Sequence, residues 1–193
     1  PKTSRAGKGI RNKRVQCMIE DLYEELKGED VLIEERIIQG GVYEALNPKT
    51  VNTIRVNSIY KDYRVHIISA TLRMGRGDSK TDHMGRGGIH AAIDLASGHV
   101  SHLGADYDGK RYHKHPISDQ EIIGFELPRW QEVLELVEEL APKLAGINYV
   151  GWDLAPCLDR ICLIEANAIS GGTSQQISDQ LGKWNIYKKF IED

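Results

Sequence analysis

Residues 151–170, GWDLAPCLDRICLIEANAIS, decide how the chain is built. NYVGWDLA and RICLIEANAI read as two paired strands around a Pro156–Asp159 turn. In a strand, residues i and i+2 share a face. Glu165 and Asn167 therefore point one way, and Ile164 and Ala166 the other. Pairing across the turn can bring Asp153 beside the first pair. Two carboxylates and an amide oxygen make an all-oxygen set suited to Mg²⁺, which usually completes its shell with water and nucleotide phosphates. The same residues also fit a plain hairpin whose acids are solvated or paired with Arg160. Spacing alone leaves both readings open.

The pattern extends upstream. VNTIRVNSIY and YRVHIISATLRMG alternate with period two around Lys61-Asp62, which predicts a hairpin. VLIEERII (31–38) predicts a buried strand with charges in its middle, and QGGVYEALNPKT a loop or lid. GRGDSKTDHMGRGG is too rich in glycine and aspartate for a regular element. Residues 89–113 read as a meander of short strands broken at Ser97-Gly98 and Asp108-Gly109, followed by a connecting loop. Trp130, Val133, Leu134, Val137, Leu140 and Ala141 recur at helical spacing, so 128–141 is an amphipathic helix that Pro142 ends or kinks. EDLYEELKG predicts a helix stopped at Gly28. TSQQISDQLG and WNIYKKFIE close the chain as helices. At the other end, a short strand around Lys2, a glycine loop and a strand near Val15–Met18 are expected.

The chain has 193 residues, 40% of them hydrophobic, which accommodates one core of helices and strands built as two small lobes. A net charge of -3 without a basic stripe argues against nucleic acid as a partner. No apolar run approaches the ~20 residues of a membrane span, and no signal-peptide core follows the basic N-terminus. Three cysteines, Cys17, Cys157 and Cys162, make an odd count; two lie in apolar strand contexts. They suggest a reducing, cytoplasmic setting with buried thiols. The chain opens on Pro1, compatible with an excised domain that lacks an N-terminal partner lobe.

Other residues could bind a phosphorylated ligand. Gly7, Lys8 and Gly9 could cradle phosphate oxygens with free backbone N–H groups, with Lys2 adding charge; a flexible basic terminus explains them equally. Glu34 and Glu35 sit where a strand end could offer its backbone edge to an adenine, or simply present solvated acids. Arg55 is an arginine inside an apolar strand. Its fork suits a phosphate, or a salt bridge to Glu44 or another acid. The seven histidines and the cysteines match no zinc spacing, and no nucleophile elbow is present.

In order, KTSRAGKGI, VLIEERIIQ, LNPKTVNTIRV, GGIHAAIDLASG, HKHPIS, LPRW, YVGWDLA and LIEANAISGG resemble an ATP-grasp domain. The resemblance covers almost the whole chain from Lys2. It is nearest to the sugar-transfer-associated ATP-grasp group, related to α-L-glutamate ligases. It implies an α+β fold in which two lobes, antiparallel sheets with packed helices, enclose a nucleotide cleft. The smaller lobe would span 1–40 and the larger 41–193. The resemblance places Lys2 on the α-phosphate side, and Gly7, Lys8 and Gly9 in a flap over the phosphates. Glu34 and Glu35, with backbone at Arg36 and Ile37, become the adenine hinge. Arg55 touches the γ-phosphate or an acyl phosphate, and Asp153, Glu165 and Asn167 hold Mg²⁺, with Mn²⁺ as a substitute. His83 stands where related sequences tend to carry the Asn of an Asp-Asn dipeptide. On this resemblance, the N-terminal domain that usually precedes the two lobes is expected to be missing.

The implied reaction is ATP-dependent ligation of a carboxylate to an amine through an acyl phosphate, releasing ADP and phosphate, with Arg55 and Lys8 offsetting charge. The substrates are small-molecule or peptide carboxylates and amines, in a pathway such as polysaccharide biosynthesis. One alternative is phosphoryl transfer to a hydroxyl, for instance on a sugar. Another is a non-catalytic nucleotide-binding domain. Asp153→Asn and Glu165→Gln are both expected to weaken Mg-dependent binding with little loss of fold.

Overall fold

The computed structural model describes residues 19–30, 32 and 34–191. The expected strands around Lys2 and at Val15–Met18, the Gly7–Gly9 loop and Cys17 lie outside the described residues. Helix α1 spans Ile19–Leu26 and α2 spans Gly41–Leu46. Then come strands β1 (Thr53–Lys61), β2 (Arg64–Met74) and β3 (Ile89–Ile93), followed by the short β4 (Gly104–Ala105) and β5 (Arg111–Tyr112). Helix α3 (Trp130–Leu140) precedes β6 (Tyr149–Pro156) and β7 (Ile161–Asn167). Helices α4 (Gly172–Asp179) and α5 (Trp184–Tyr187) close the described chain. The seven strands form one sheet in the order β5-β4-β3-β2-β1-β6-β7, every neighbouring pair antiparallel.

The β1–β2 hairpin turns at Asp62 and Tyr63, both left-handed with φ of 52° and 59°. Two consecutive positive φ values match the twist of the flanking strands, so the hairpin closes tightly. Its alternation sorts the sheet into two unlike faces. Ile54 and Val56 of β1, Ala70 and Leu72 of β2, and Trp152 and Leu154 of β6 are buried in the main apolar cluster. Trp130, Val133 and Val137 of α3 join them, as do Tyr43 and Leu46 of α2. Burying each such large side chain stabilises the fold by about 1.5–3 kcal/mol. Trp152 satisfies its indole N–H on Ser58 Oγ at 2.8 Å.

The other face carries Thr53, Arg55 and Asn57 of β1 opposite Arg73, Thr71 and Ser69 of β2. Helix α4 packs on this face with Gln175 and Ser178 buried, against β2 and β3. Its partners are polar: Gln175 accepts from Ser69 Oγ at 3.0 Å and donates to Tyr149 Oη at 3.0 Å.

Two local expectations are corrected. Segment 41–46, read as loop or lid, is helical, because Tyr43 and Leu46 anchor it in the core. Segment 31–38, read as a buried strand, forms no strand at its described residues, and Leu32, Glu34, Glu35 and Arg36 are exposed. Its dock is the Gln39 side chain, which donates to Asn52 O at 2.7 Å and Pro156 O at 3.1 Å and accepts from Asn52 N at 2.7 Å. Among the described residues no helix is long and apolar enough to cross a membrane.

Candidate functional site

The strand register sets an arginine and two acids in one line. Arg55 pairs with Asp153 across β1–β6, and Asp153 with Glu165 across β6–β7. The next like-facing position pairs Gly151 with Asn167. A bulge just after Asp153 puts Leu154 opposite Leu163, leaving the Asp153, Glu165 and Asn167 side chains on the polar face. Pairing therefore does bring the three oxygen-bearing residues together.

Asp153 is already claimed by two guanidinium groups. Arg55 donates from Nε to Oδ1 and from Nη2 to Oδ2, the latter at 2.8 Å. Arg73 Nη1 donates to Oδ1 at 2.7 Å. Arg73 also reaches Asp82 Oδ1 through Nη2 at 3.3 Å. Thr53 holds the other Asp82 oxygen with its backbone N–H at 2.9 Å and with its hydroxyl. Burial works to raise the Asp153 pKa, but the hydrogen bonds and charges of Arg55 and Arg73 overcome it and hold it low. Burial wins at Asp82, whose pKa is raised despite Arg73. Arg73, squeezed by burial, is kept protonated by the two aspartates. Its Nε is buried without a hydrogen-bond partner among the described residues.

His90 lies opposite Arg73 in β3. Its Nδ1 is 2.6 Å from Ser174 Oγ and its Nε2 is 3.1 Å from Asp82 O. Burial, then the Arg73 charge, push its pKa down to about 3, so it is a neutral structural group near neutrality. The chain beyond β7 folds back over the sheet at Ser170, whose hydroxyl accepts from Arg55 Nη1 at 3.1 Å and donates to Asn57 Oδ1 at 2.5 Å. Gly151 makes this crossing feasible, because a Cβ there would collide with Ser170.

The expected site residues fall into three groups. Arg55, Asp153, Glu165 and Asn167 converge. Arg55 does carry the salt bridge weighed as its alternative, and its acid is Asp153 rather than Glu44. Glu34, Glu35, Arg36 and Ile37 lie in coil at the start of the segment docked by Gln39; Glu35 faces Arg160 at 3.4 Å. Lys2, Gly7, Lys8 and Gly9 lie outside the described residues. The sequence reading missed Arg73, Asp82, Thr53, His90 and Ser170. For Arg73 a signal existed: ATLRM buries an arginine among apolar residues just as NTIRV does. Asp82 and His90 had none, because loop and strand are brought together by long-range pairing alone.

The residues suit a hard cation only in part. Glu165 is exposed, and Asn167 donates its amide N–H to Gly151 O at 3.3 Å, which leaves its oxygen as the atom to offer. Asp153 has about one lone-pair position left after three N–H donors. Among the described residues no three His, Cys, Asp or Glu side chains form a ready metal cluster.

The family model for sugar-transfer-associated ATP-grasp proteins matches residues 3–190. The chain belongs to that family. Membership makes it an ATP-grasp protein over nearly its full length, with the ATP dependence that the family implies. No curated protein and no solved structure matches it.

Proposed function

We propose that this ATP-grasp protein is an ATP- and Mg²⁺-dependent carboxylate–amine ligase that works through an acyl phosphate. The observation that carries the reading is the Arg55–Asp153–Glu165 line across three strands. It sets a forked cation beside two carboxylates on the polar face of the sheet. Arg55 is the group that meets phosphate. Its fork matches phosphate geometry and is already held flat against the sheet by Asp153 and Ser170. Glu165 and Asn167 would hold Mg²⁺, and Asp153 would join them as Arg55 turns from it toward phosphate. When bound, the ion offsets phosphate charge, a task shared with Arg55 and Lys8. Arg73 stays behind as the fixed counter-charge of Asp153 and Asp82, so Asp153 remains ionised throughout.

The segment at 34–37 is the proposed adenine hinge. Its coil backbone is not consumed in a strand ladder, and Gln39 fixes it to Asn52, just before β1, and to Pro156, the last residue of β6. Residues 1–40 then form the smaller lobe with the phosphate flap of Lys2, Gly7, Lys8 and Gly9, and 41–193 the larger. The free thiols Cys157 and Cys162 fit a reducing compartment such as the cytoplasm. The family's association with sugar transfer favours an acceptor from glycan assembly.

The test is incubation with Mg·ATP, a panel of carboxylic acids and hydroxylamine. Hydroxamate formed in step with ADP supports ligation. A stable phosphorylated hydroxyl would replace this reading with phosphoryl transfer. Tight Mg·ATP binding without turnover, even with the preceding segment supplied, would make the chain a nucleotide-binding module.

A further inference from the structure

Cys157 and Cys162 lie at the mouth of the β6–β7 turn, and the proposed ligation uses neither. Cys157 N–H closes the turn on Arg160 O at 2.8 Å, and Ala155 is the register partner of Cys162. The two cysteines are therefore diagonal neighbours on one side of the hairpin. Their sulfurs are 3.5 Å apart, and both thiols are free. Diagonal side chains in a hairpin are normally too far apart to bond; here the turn curls them into contact. Neither is sealed in the core: both are half-buried, so a small reagent can reach them. This corrects the expectation of buried thiols, because the outer strand β7 leaves its side chains open.

The two sulfurs differ in their surroundings. Arg160 Nε donates to Cys162 Sγ at 3.3 Å, giving that sulfur a positive partner once it loses its proton. Among the described residues no cation donates to the Cys157 sulfur, which feels Arg160 only at longer range; its hydrogen-bond partners are Ala155 O and the other sulfur. Burial and the neighbouring Cys162 push the Cys157 thiol up to about 11, so it stays protonated near neutrality. The surrounding turn is firmly held. Arg129 donates to Cys157 O at 3.3 Å and to Asp159 O at 3.1 Å, which holds the turn backbone and keeps the two cysteines side by side while leaving their side chains free to rotate.

We propose that Cys157 and Cys162 form an oxidative modification site, a dithiol that low-molecular-weight disulfides convert to an intrachain disulfide. Cys162 thiolate attacks one sulfur of the small disulfide. That S–S bond breaks, one small thiolate leaves, and a mixed disulfide remains on Cys162. Cys157 then gives up its proton and attacks Cys162 Sγ. The second small thiolate leaves as the Cys157–Cys162 bond forms. Two protein thiols are oxidised by two electrons, and one small disulfide is reduced to two thiols. The sulfurs need close only about 1.5 Å to reach bonding distance, which the tip of a hairpin can absorb.

The experiment uses the full chain carrying Cys17→Ser, so that only this pair reports. Protein equilibrated with equimolar reduced and oxidised glutathione is acid-quenched, alkylated and mapped by mass spectrometry. The expected result is loss of both alkylatable thiols and a peptide linkage joining residues 157 and 162. In the same background, Cys157→Ser leaves Cys162 to trap glutathione. Cys162→Ser leaves Cys157, expected to do so at least about tenfold more slowly. Arg160→Gln should slow trapping at Cys162 several-fold while circular dichroism stays unchanged. Retention of two free thiols in folded protein would overturn the site. Equal trapping rates at the two cysteines would overturn the assigned roles.

Discussion

Arg55 and Asp153 face each other across the β1–β6 pairing, and the arginine grips both carboxylate oxygens, one from Nε and one from Nη2. Arg73 holds the same carboxylate from β2. Removing the acid therefore strands two arginines, one of them deeply buried. Asp153→Asn is expected to cost about 3–5 kcal/mol of stability, the usual effect of breaking a buried ion pair from one side. This reverses the expectation from sequence that such a change would spare the fold. Urea unfolding checks it; a midpoint unchanged from wild type would show that the network carries no stability.

Glu165→Gln should behave differently. Glu165 is exposed on the outer strand, so stability should move by no more than about 0.5 kcal/mol. Mg-dependent nucleotide affinity should fall at least about tenfold, because a hard cation loses its most accessible carboxylate. Calorimetric titration of Mg·ATP into both proteins decides the point. Equal affinities would remove Glu165 from the metal set.

Arg55→Lys keeps the charge and loses the fork. A single ammonium cannot grip both Asp153 oxygens in the resting site, nor offer phosphate a planar pair of N–H groups once it turns away from them. Turnover is expected to drop about 100-fold while nucleotide affinity changes only about threefold. Steady-state kinetics beside equilibrium binding separate the two. Matching losses would leave Arg55 with a purely structural role.

Gly151→Ala tests how the chain crosses the sheet. A methyl group there runs into Ser170 and lies 3.2 Å from Arg55 Nη1. Destabilisation of about 1–3 kcal/mol is expected, as for other overpacked sites. Ser170→Gly in the same chain should recover most of it. A melting temperature unchanged by Gly151→Ala alone would show that Ser170 does not sit there in solution.

His90 makes stability depend on pH. Folded His90 resists protonation down to about 3, whereas the unfolded chain takes up that proton near 6.5. Above 6.5 the two states bind equally and nothing is lost. As pH falls from there toward 3, the unfolded state gains a proton that the native state refuses. Stability should then fall by up to about 1.4 kcal/mol per pH unit. Urea midpoints at about pH 7.5 and about pH 5 should diverge in wild type and draw closer in His90→Gln. Equal divergence in both would clear His90 of responsibility.

The sequence made the central sheet easy to find, for a physical reason. Ile54, Val56, Leu72 and Leu154 alternate with polar residues at period two, and that alternation records which side faces the core. The Asp153, Glu165 and Asn167 trio was legible because all three sit on one hairpin, where spacing dictates direction. Their partners were not. Asp82 comes from an irregular loop and His90 from β3, and only tertiary closure places them beside Arg73. Helix α2 escaped because GVYEAL is too short to show a period. Segment 31–38 misled because its aliphatic composition resembles a strand, although its described residues join no strand ladder.

The unlike sides of the sheet also tell a protein engineer where to cut. Substitutions between α3 and the oily surface can harden the scaffold without touching the Arg55, Arg73 and Asp153 network. Changes beneath α4 cannot be made so freely, since nearly every buried atom there answers to a donor or an acceptor. The core-facing side can thus be hardened on its own, whereas the polar face carries the proposed chemistry and part of the stability together, so no edit there touches one alone.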